Sequence, residues 1–244
     1  MSPELSVVVP VHNEAANLAG LLAEIRDALD GVAEYEVVCV DDGSDDDTPG
    51  LLASLAAEYP RLRVVRHQRP QGQSAAIAHG VSQARGPWVA TLDGDGQNDP
   101  ADIPRLLAIV RAADTPGSIR LLVGERSRRQ DPWIKRFAGR VANAIRARVL
   151  GDGARDSGSG LKLFSTECFL ALPQFDHMHR FLPALFLRSG WQVASVPVNH
   201  RPRRHGRSHY GVLDRLWAGI PDLIGVLWLQ HRPISWPASE DPHD

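Results

Sequence analysis

The sequence predicts an α/β fold, a mostly parallel sheet with helices on both faces, followed by an amphipathic C-terminal helix. Three observations predict it. Short apolar runs of strand length alternate with stretches whose leucines and isoleucines recur at helical spacing. The strand runs are apolar at consecutive positions, the pattern of strands covered on both faces. Polar clusters then follow three of those strands, at the edge where open parallel sheets hold ligands.

Each element follows in order. Leu5–Val11 is the first strand; Leu18, Leu21, Leu22, Ile25 and Leu29 mark the helix after it, with Asn13 as its expected cap. Residues 35–40 form a second strand ending on Asp41-Asp42-Gly43-Ser44, and Leu51, Leu52, Leu55 and Tyr59 mark a second helix. Residues 63–66 are a third strand, 74–84 a small-residue helix, and 88–92 a fourth strand ending at Asp93. Ile103, Leu106, Leu107 and Val110 mark another helix, and 121–124 a fifth strand. Such alternation builds a parallel sheet between helices. The second half is less regular. Residues 133–150 read as a basic helix, 151–160 as a loop, 161–164 as a strand, 180–188 as a helix and 192–200 as a strand. The basic loop 201–208 precedes a long helix over 211–230. The expected division is a catalytic unit over 1–209, an amphipathic helix over 210–232 and a disordered tail over 233–244.

Composition excludes several classes. The 244 residues are 43% hydrophobic and 23% charged with a formal net charge of −2, which gives no global basic surface for nucleic acid. Two cysteines, Cys39 and Cys168, are too few for a disulfide framework, and Cys39 lies in a strand run where a buried thiol is expected. Neither a secretory signal nor an apolar run long enough to span a membrane is expected, and a reducing cytoplasm is the default compartment. A homo-oligomer is compatible with the sequence. Basic residues crowd two stretches: Arg126, Arg128, Arg129, Lys135, Arg136, Arg140, Arg146 and Arg148, then Arg201, Arg203, Arg204 and Arg207.

Three polar clusters fall at strand ends on one rim: His12-Asn13-Glu14, Asp41-Asp42-Gly43-Ser44 and Asp93-Gly94-Asp95-Gly96-Gln97. Each alone reads as turn chemistry; together they read as a site. Two carboxylates one residue apart, Asp93 and Asp95, can reach one hard cation, and Gln97 adds an oxygen. Mg²⁺ or Mn²⁺ suits such ligands and fills its shell with substrate phosphate. A calcium loop would need a glycine where Asn98 stands and a nearby glutamate, and no phosphate loop ending in Gly-Lys occurs.

These motifs carry a resemblance. Val9-Pro10-Val11-His12-Asn13-Glu14, Val40-Asp41-Asp42-Gly43-Ser44-Asp45-Asp46-Asp47-Thr48 and Leu92-Asp93-Gly94-Asp95-Gly96-Gln97-Asn98-Asp99-Pro100 resemble glycosyltransferase family 2 over roughly the first 165 residues. The resemblance implies the GT-A fold, a Rossmann-like sheet, and an inverting, nucleotide-sugar-dependent hexosyltransferase. Gly124-Glu125-Arg126, Asp156-Ser157-Gly158-Ser159-Gly160-Leu161-Lys162-Leu163-Phe164 and Arg203-Arg204-His205-Gly206-Arg207-Ser208 are similar to the polyprenyl-phosphate branch, which includes dolichyl-phosphate mannosyltransferase. Three departures stand out. Gly94 and Gly96 replace residues that are often Ala and Leu, His209 stands where a lysine commonly follows the serine, and the C-terminal transmembrane helices of many bacterial members are not expected in these 244 residues.

The resemblance assigns roles. Pro10, Asn13, Glu14, Asp41 and Asp42 would line the pocket of a UDP- or GDP-sugar donor; Asp93, Asp95 and Gln97 would hold the metal. Arg126, Arg140 and Arg203, with Ser208, would face the phosphate of an undecaprenyl- or dolichyl-type acceptor, and Asp93, Asp95, Arg126 and Arg203 would carry catalysis. A phosphate monoester is already nucleophilic at neutral pH, so cations matter more than a base. A rival reading is a sugar-hydroxyl acceptor, for which Asp156 would serve as base; Asp156 is equally open to capping the Gly-Ser loop. A third is a nucleotide-sugar binding module without turnover. Val212, Leu213, Leu216, Trp217, Ile220, Leu223, Ile224, Leu227 and Trp228 form one apolar stripe. That stripe predicts a peripheral enzyme on the cytoplasmic face of the membrane, or a helix packed on protein.

Overall fold

A computed structural model describes residues 2–113, 119–126, 146–153, 156, 158–202 and 212–232, the last with side chains from 220 onward. Its elements run β1 (Leu5–Val11), α1 (Ala15–Leu29), β2 (Tyr35–Asp41), α2 (Thr48–Glu58), β3 (Leu62–Arg66), α3 (Gln73–Gln83), β4 (Trp88–Thr91) and α4 (Ile103–Ala112). They continue with β5 (Ile119–Arg126), β6 (Lys162–Ser165), α5 (Thr166–Leu170), α6 (Leu182–Arg188), β7 (Gln192–Val198) and α7 (Val212–Gln230). Short 3-10 turns occupy Pro100–Asp102 and Met178–Arg180. Of the expected basic helix, residues 146–150 are helical and the rest lies outside the described residues, as does the tail from 233.

The strands form one seven-stranded sheet in the order β3-β2-β1-β4-β6-β5-β7. β1 runs parallel to β2 and β4, and β2 parallel to β3. β6 is antiparallel to both β4 and β5, while β7 is parallel to β5. The sheet is therefore mostly parallel, with one reversed strand that apolar patterning does not reveal.

Alternation along each strand divides the core between two faces. Val7, Val9, Val37 and Cys39 pack with Leu18, Leu22 and Ile25 of α1 and Leu106 and Val110 of α4. Val8, Val38 and Val40 face the other way, with Ile77 and Val81 of α3, Phe169 of α5 and Leu185 and Phe186 of α6. Cys39 is fully buried, and burial pushes its thiol up to about 12.

Two expectations are corrected. Asn13 does not cap α1: the helix begins at Ala15 after Glu14, with no side-chain cap. Asn13 instead takes a left-handed backbone, φ 57°, and its amide pairs with the next loop. Two bonds to Asp45, Nδ2 to Oδ1 at 2.7 Å and Asp45 N to Oδ1 at 3.0 Å, outcompete one bond to a helix N–H. The C-terminal stripe also divides. Val226 is fully buried, with Leu223, Leu227 and Leu229 against the same core, whereas Ile220, Ile224 and Trp228 stand 51%, 62% and 58% exposed. Steps of four from Ile220 to Trp228 make a second apolar face beside the packed one. Val212, Leu213, Leu216 and Trp217 have side chains outside the described set. Among the described residues, no helix is long and apolar enough to cross a membrane.

Candidate active site

β1 lies between its parallel neighbours β2 and β4, so all three carboxyl ends open on one edge. The chain leaves β1 toward the α1 face, and reaches β4 from the α3 face, which creates a crevice between β1 and β4. Every polar cluster singled out in the first half of the sequence sits on this edge.

The β1–β2 side is held by bonds within the chain. Asn13 N donates to Ser44 Oγ at 3.0 Å, and Glu14 N to Thr48 Oγ1 at 3.0 Å, so the first loop is fastened to the second. Glu14 Oε2 accepts from Asn17 Nδ2 at 2.6 Å. Asp42, almost fully buried, accepts from Gln71 N and Gly72 N, both at 2.8 Å, and meets His67 Nδ1 at 2.7 Å. His67 Nε2 then meets His79 Nδ1 at 3.0 Å. Asp42 thus holds the loop that leads into α3. Asp41 differs: Oδ1 accepts from Ser44 N at 3.0 Å, while its buried Oδ2 has no hydrogen-bond partner among the described residues. Arg66 Nε lies 3.2 Å from that oxygen as an ion pair outside hydrogen-bond geometry. A buried acceptor in this position is suited to receive a ligand N–H or O–H.

The β4 side concentrates charge. Burial, then the neighbouring Asp95 charge, push the Asp93 carboxyl up to about 6. Asp93 N donates to Asn98 Oδ1 at 2.9 Å, and Gln73 Nε2 donates to Asp93 Oδ1 at 2.8 Å. Asp95 Oδ1 accepts from Gln97 N at 3.0 Å, while the Gln97 amide nitrogen reaches Arg201 O at 3.4 Å. Gly94 lets this strap lie against β1, because a Cβ there would stand 2.8 Å from Val11 Cγ1 and 3.2 Å from Pro10 O. Among the described residues no three His, Cys, Asp or Glu side chains form a closed metal cage. The motif offers two coupled carboxylates on an open rim, a donor set that fits Mg²⁺ or Mn²⁺ sharing its shell with substrate phosphate.

Behind this pair lie buried groups of opposite charge. Lys162, 4% exposed, donates from Nζ to Ser159 O. Burial pulls its ammonium down to about 8 against the opposing pull of Asp93 and Asp156. Arg126 grips Asp156 bidentately, Nε to Oδ2 at 2.6 Å and Nη2 to Oδ1 at 2.7 Å. The sequence treats the two as rival catalysts; the structure makes them one unit. Arg201 is likewise tied down, between Glu24 at 2.6 Å and Asp99. Arg140, Arg203 and Ser208 lie outside the described residues.

Three residues without an expected role stand at the centre. Gln73 bonds Asp93. Gly160 faces it so closely that a Cβ would sit 2.1 Å from Asp93 Oδ2 and 2.6 Å from Asn98 Oδ1. Lys162 supplies the buried positive charge. Gly160 and Lys162 fall in the motif Asp156–Phe164, and Lys162 leaves a further signal as a cation inside the apolar run Leu161-Lys162-Leu163-Phe164.

This chain is similar to known proteins in sequence and in fold. Residues 6–170 match the glycosyl transferase family 2 profile. Dodecaprenyl-phosphate galacturonate synthase of Rhizobium johnstonii is 34% identical over 238 residues, 93% of this chain and 67% of that protein. Undecaprenyl-phosphate 4-deoxy-4-formamido-L-arabinose transferase of Edwardsiella ictaluri is 37% identical over 213 residues, 86% of this chain and 63% of that protein. The chain thus spans about two thirds of the length of these curated relatives. In structure it is similar to glucosyl-3-phosphoglycerate synthase from Mycobacterium tuberculosis in complex with Mn²⁺, UDP-glucose and phosphoglyceric acid. The TM-score is 0.70 at 23% identity, over 96% of this chain and 81% of that one. That likeness establishes the GT-A-like fold. With the profile covering more than half of its length and relatives above 30% identity along most of it, this chain belongs to glycosyltransferase family 2.

Proposed function

We propose that this chain is an inverting transferase that moves a sugar from a nucleoside-diphosphate donor to a polyprenyl phosphate. The observation that carries this reading is the coupled pair Asp93–Asp95 at the mouth of the β1–β4 crevice, backed by buried Lys162 and Arg126. Pro10, Asn13, Glu14 and Asp41 would line the nucleoside side, Asp41 through the oxygen that faces Arg66 without a hydrogen bond and Asp42 through the loop it holds. Asp93, Asp95 and Gln97 would hold Mg²⁺ or Mn²⁺, which when bound stabilises the charge of the departing nucleoside diphosphate. The acceptor phosphate oxygen attacks the anomeric carbon as the bond to the nucleotide's β-phosphate breaks. No proton has to be removed, because the acceptor is already ionised. Arg126, Arg140, Arg203 and Ser208 would orient it. Asp156, held by Arg126, keeps that guanidinium in place and does not need to serve as a base.

The sugar is a hexosyl, a uronic acid or a pentosyl group; the similar proteins are named for galacturonate and for a formamido-arabinose. UDP- and GDP-linked donors both fit. The catalytic unit over 1–209 is joined by α7, whose exposed Ile220, Ile224 and Trp228 fit the cytoplasmic surface of an anionic membrane, where the acceptor presents its head group. The test is a donor screen with undecaprenyl phosphate and Mn²⁺ or Mg²⁺, the product identified by mass. A lipid-linked sugar formed with one nucleoside diphosphate per turnover is the expected result. Transfer only to sugar hydroxyls, or none with any acceptor, would overturn the reading.

A further inference from the structure

We propose that Gln73 is a positioning residue for the divalent-cation site, a neutral donor that fixes one oxygen of Asp93 so that the rest of the carboxylate faces the metal. This inference rests on the metal-dependent reading above. Gln73 is exposed on the rim, and a solvent-facing glutamine would ordinarily carry no role. Its neighbours make the difference. Four successive residues are bonded to three separate segments of the chain. The backbone N–H groups of Gln71 and Gly72 both donate to the buried carboxylate of Asp42, at 2.8 Å each. Gln73 Nε2 then reaches Asp93 Oδ1 at 2.8 Å. Ser74, itself 3% exposed, meets His179 Nδ1 at 2.6 Å and accepts from His179 N at 3.3 Å. The start of α3 is therefore pinned from both sides of the glutamine, and its amide is delivered to the carboxylate by a scaffold set in advance.

Asp93 is enclosed in a complementary way. Asn98 takes its backbone N–H, and Gly160 lies so near Oδ2 that no side chain fits between them. With Gln73 on Oδ1, the carboxylate has little freedom to rotate. Outer partners of metal ligands commonly work by fixing orientation in this manner. The choice of residue is also chemical. A lysine or arginine at this position would bond the same oxygen more strongly, yet would place a positive charge beside an incoming dication. A glutamine holds the ligand without competing for its charge.

The experiment measures Mn²⁺ binding to the full chain, without acceptor lipid, by electron paramagnetic resonance of the free ion. Gln73→Ala should raise the Mn²⁺ Kd by ~10-fold. Its thermal midpoint and its affinity for UDP in EDTA should stay at wild-type values, and added Mn²⁺ should restore transfer. Gln73→Lys should bind Mn²⁺ more weakly than Gln73→Ala. Wild-type Mn²⁺ affinity in Gln73→Ala, where Asp93→Asn has lost it, would overturn the positioning role alone. So would tighter binding in Gln73→Lys than in Gln73→Ala. Binding that Asp93→Asn leaves unchanged would overturn the metal site itself, and this inference with it.

Discussion

On the β1–β2 side of the rim, polar groups are matched within the chain; on the β4–β6 side, like charges are pressed together and countered from behind. Asn13 and Asp45 exchange two bonds, Asp42 holds three donors, and Ser44 and Thr48 fasten the loop between them. Asp93 beside Asp95, in contrast, is pushed up to about 6, and Lys162 beneath them is pulled down to about 8. The difference teaches where scaffold ends and chemistry begins. Matched groups rigidify a loop and hold its shape. Groups with shifted proton affinity keep free energy in reserve for a ligand of opposite charge.

The comparison breaks most readily at the charged side. Asp95→Asn, and likewise Asp93→Asn, should lower turnover at least ~100-fold, while the metal-free protein loses no thermal stability because a repulsion has been removed. Full activity in excess EDTA would refute this. Next in size is the Arg126–Asp156 unit. Removing Arg126 takes the bidentate partner from buried Asp156, at about 3 kcal/mol of stability, and Asp156→Ala takes the same two bonds from half-buried Arg126. The double substitution should fall well short of the sum in a denaturant-based mutant cycle. Arg126→Ala and Asp156→Ala should also lose activity to a similar degree, so ranking them cannot separate a phosphate acceptor from a hydroxyl one.

A smaller effect sharpens the contrast by pH. The folded protein takes up a proton on Asp93 near pH 6, whereas the unfolded chain does so only near 3.8. Burial holds the His179 imidazole well below its usual range, and that group acts in the opposite sense, so the Asp93 contribution is read as a difference between proteins. Urea titrations at several pH values test it: the metal-free stability of the wild type relative to Asp93→Asn should rise as pH falls from 7.5 toward 5. The smallest effect on stability belongs to α7. Ile224→Glu with Trp228→Glu should change unfolding free energy by no more than about 0.5 kcal/mol and abolish co-sedimentation with anionic liposomes. Removing the whole helix is a poorer test, since it also takes away buried Val226. Unchanged pelleting would remove the membrane role.

Much of this was legible in advance, and the reasons are local. Parallel strands buried on both faces leave continuous apolar runs, and β1, β2 and β4 show them. The carboxylates at their ends were visible because a parallel sheet sends such ends to one edge. Partnership was not visible. Asp41 and Asp42 are neighbours of one type, yet Asp42 is engaged by residues 67–72 and Asp41 keeps an oxygen unbonded. Nothing at residue 73 foretells a bond to residue 93, and nothing in Leu161-Lys162-Leu163-Phe164 shows which way the strand will run. Such facts depend on the register of distant segments, which local pattern does not encode.

The reversed strand has a consequence for the order in which the molecule assembles. β1 through β4 come from the first part of the chain, and β4 pairs on one side with β1. Its other edge is completed only by β6, through the register Trp88↔Ser165 to Thr91↔Lys162. During synthesis, the strand that leads to Asp93 and Asp95 therefore waits with one edge open until residue 165 has emerged. Gly160 and Lys162, the back wall of that motif, arrive with the same closing strand. A nascent chain can shape the β1–β2 side of the rim early, but the charged β4–β6 side is not complete until the sheet is closed. A fragment that stops before β6 exposes the edge of an apolar strand, an aggregation template.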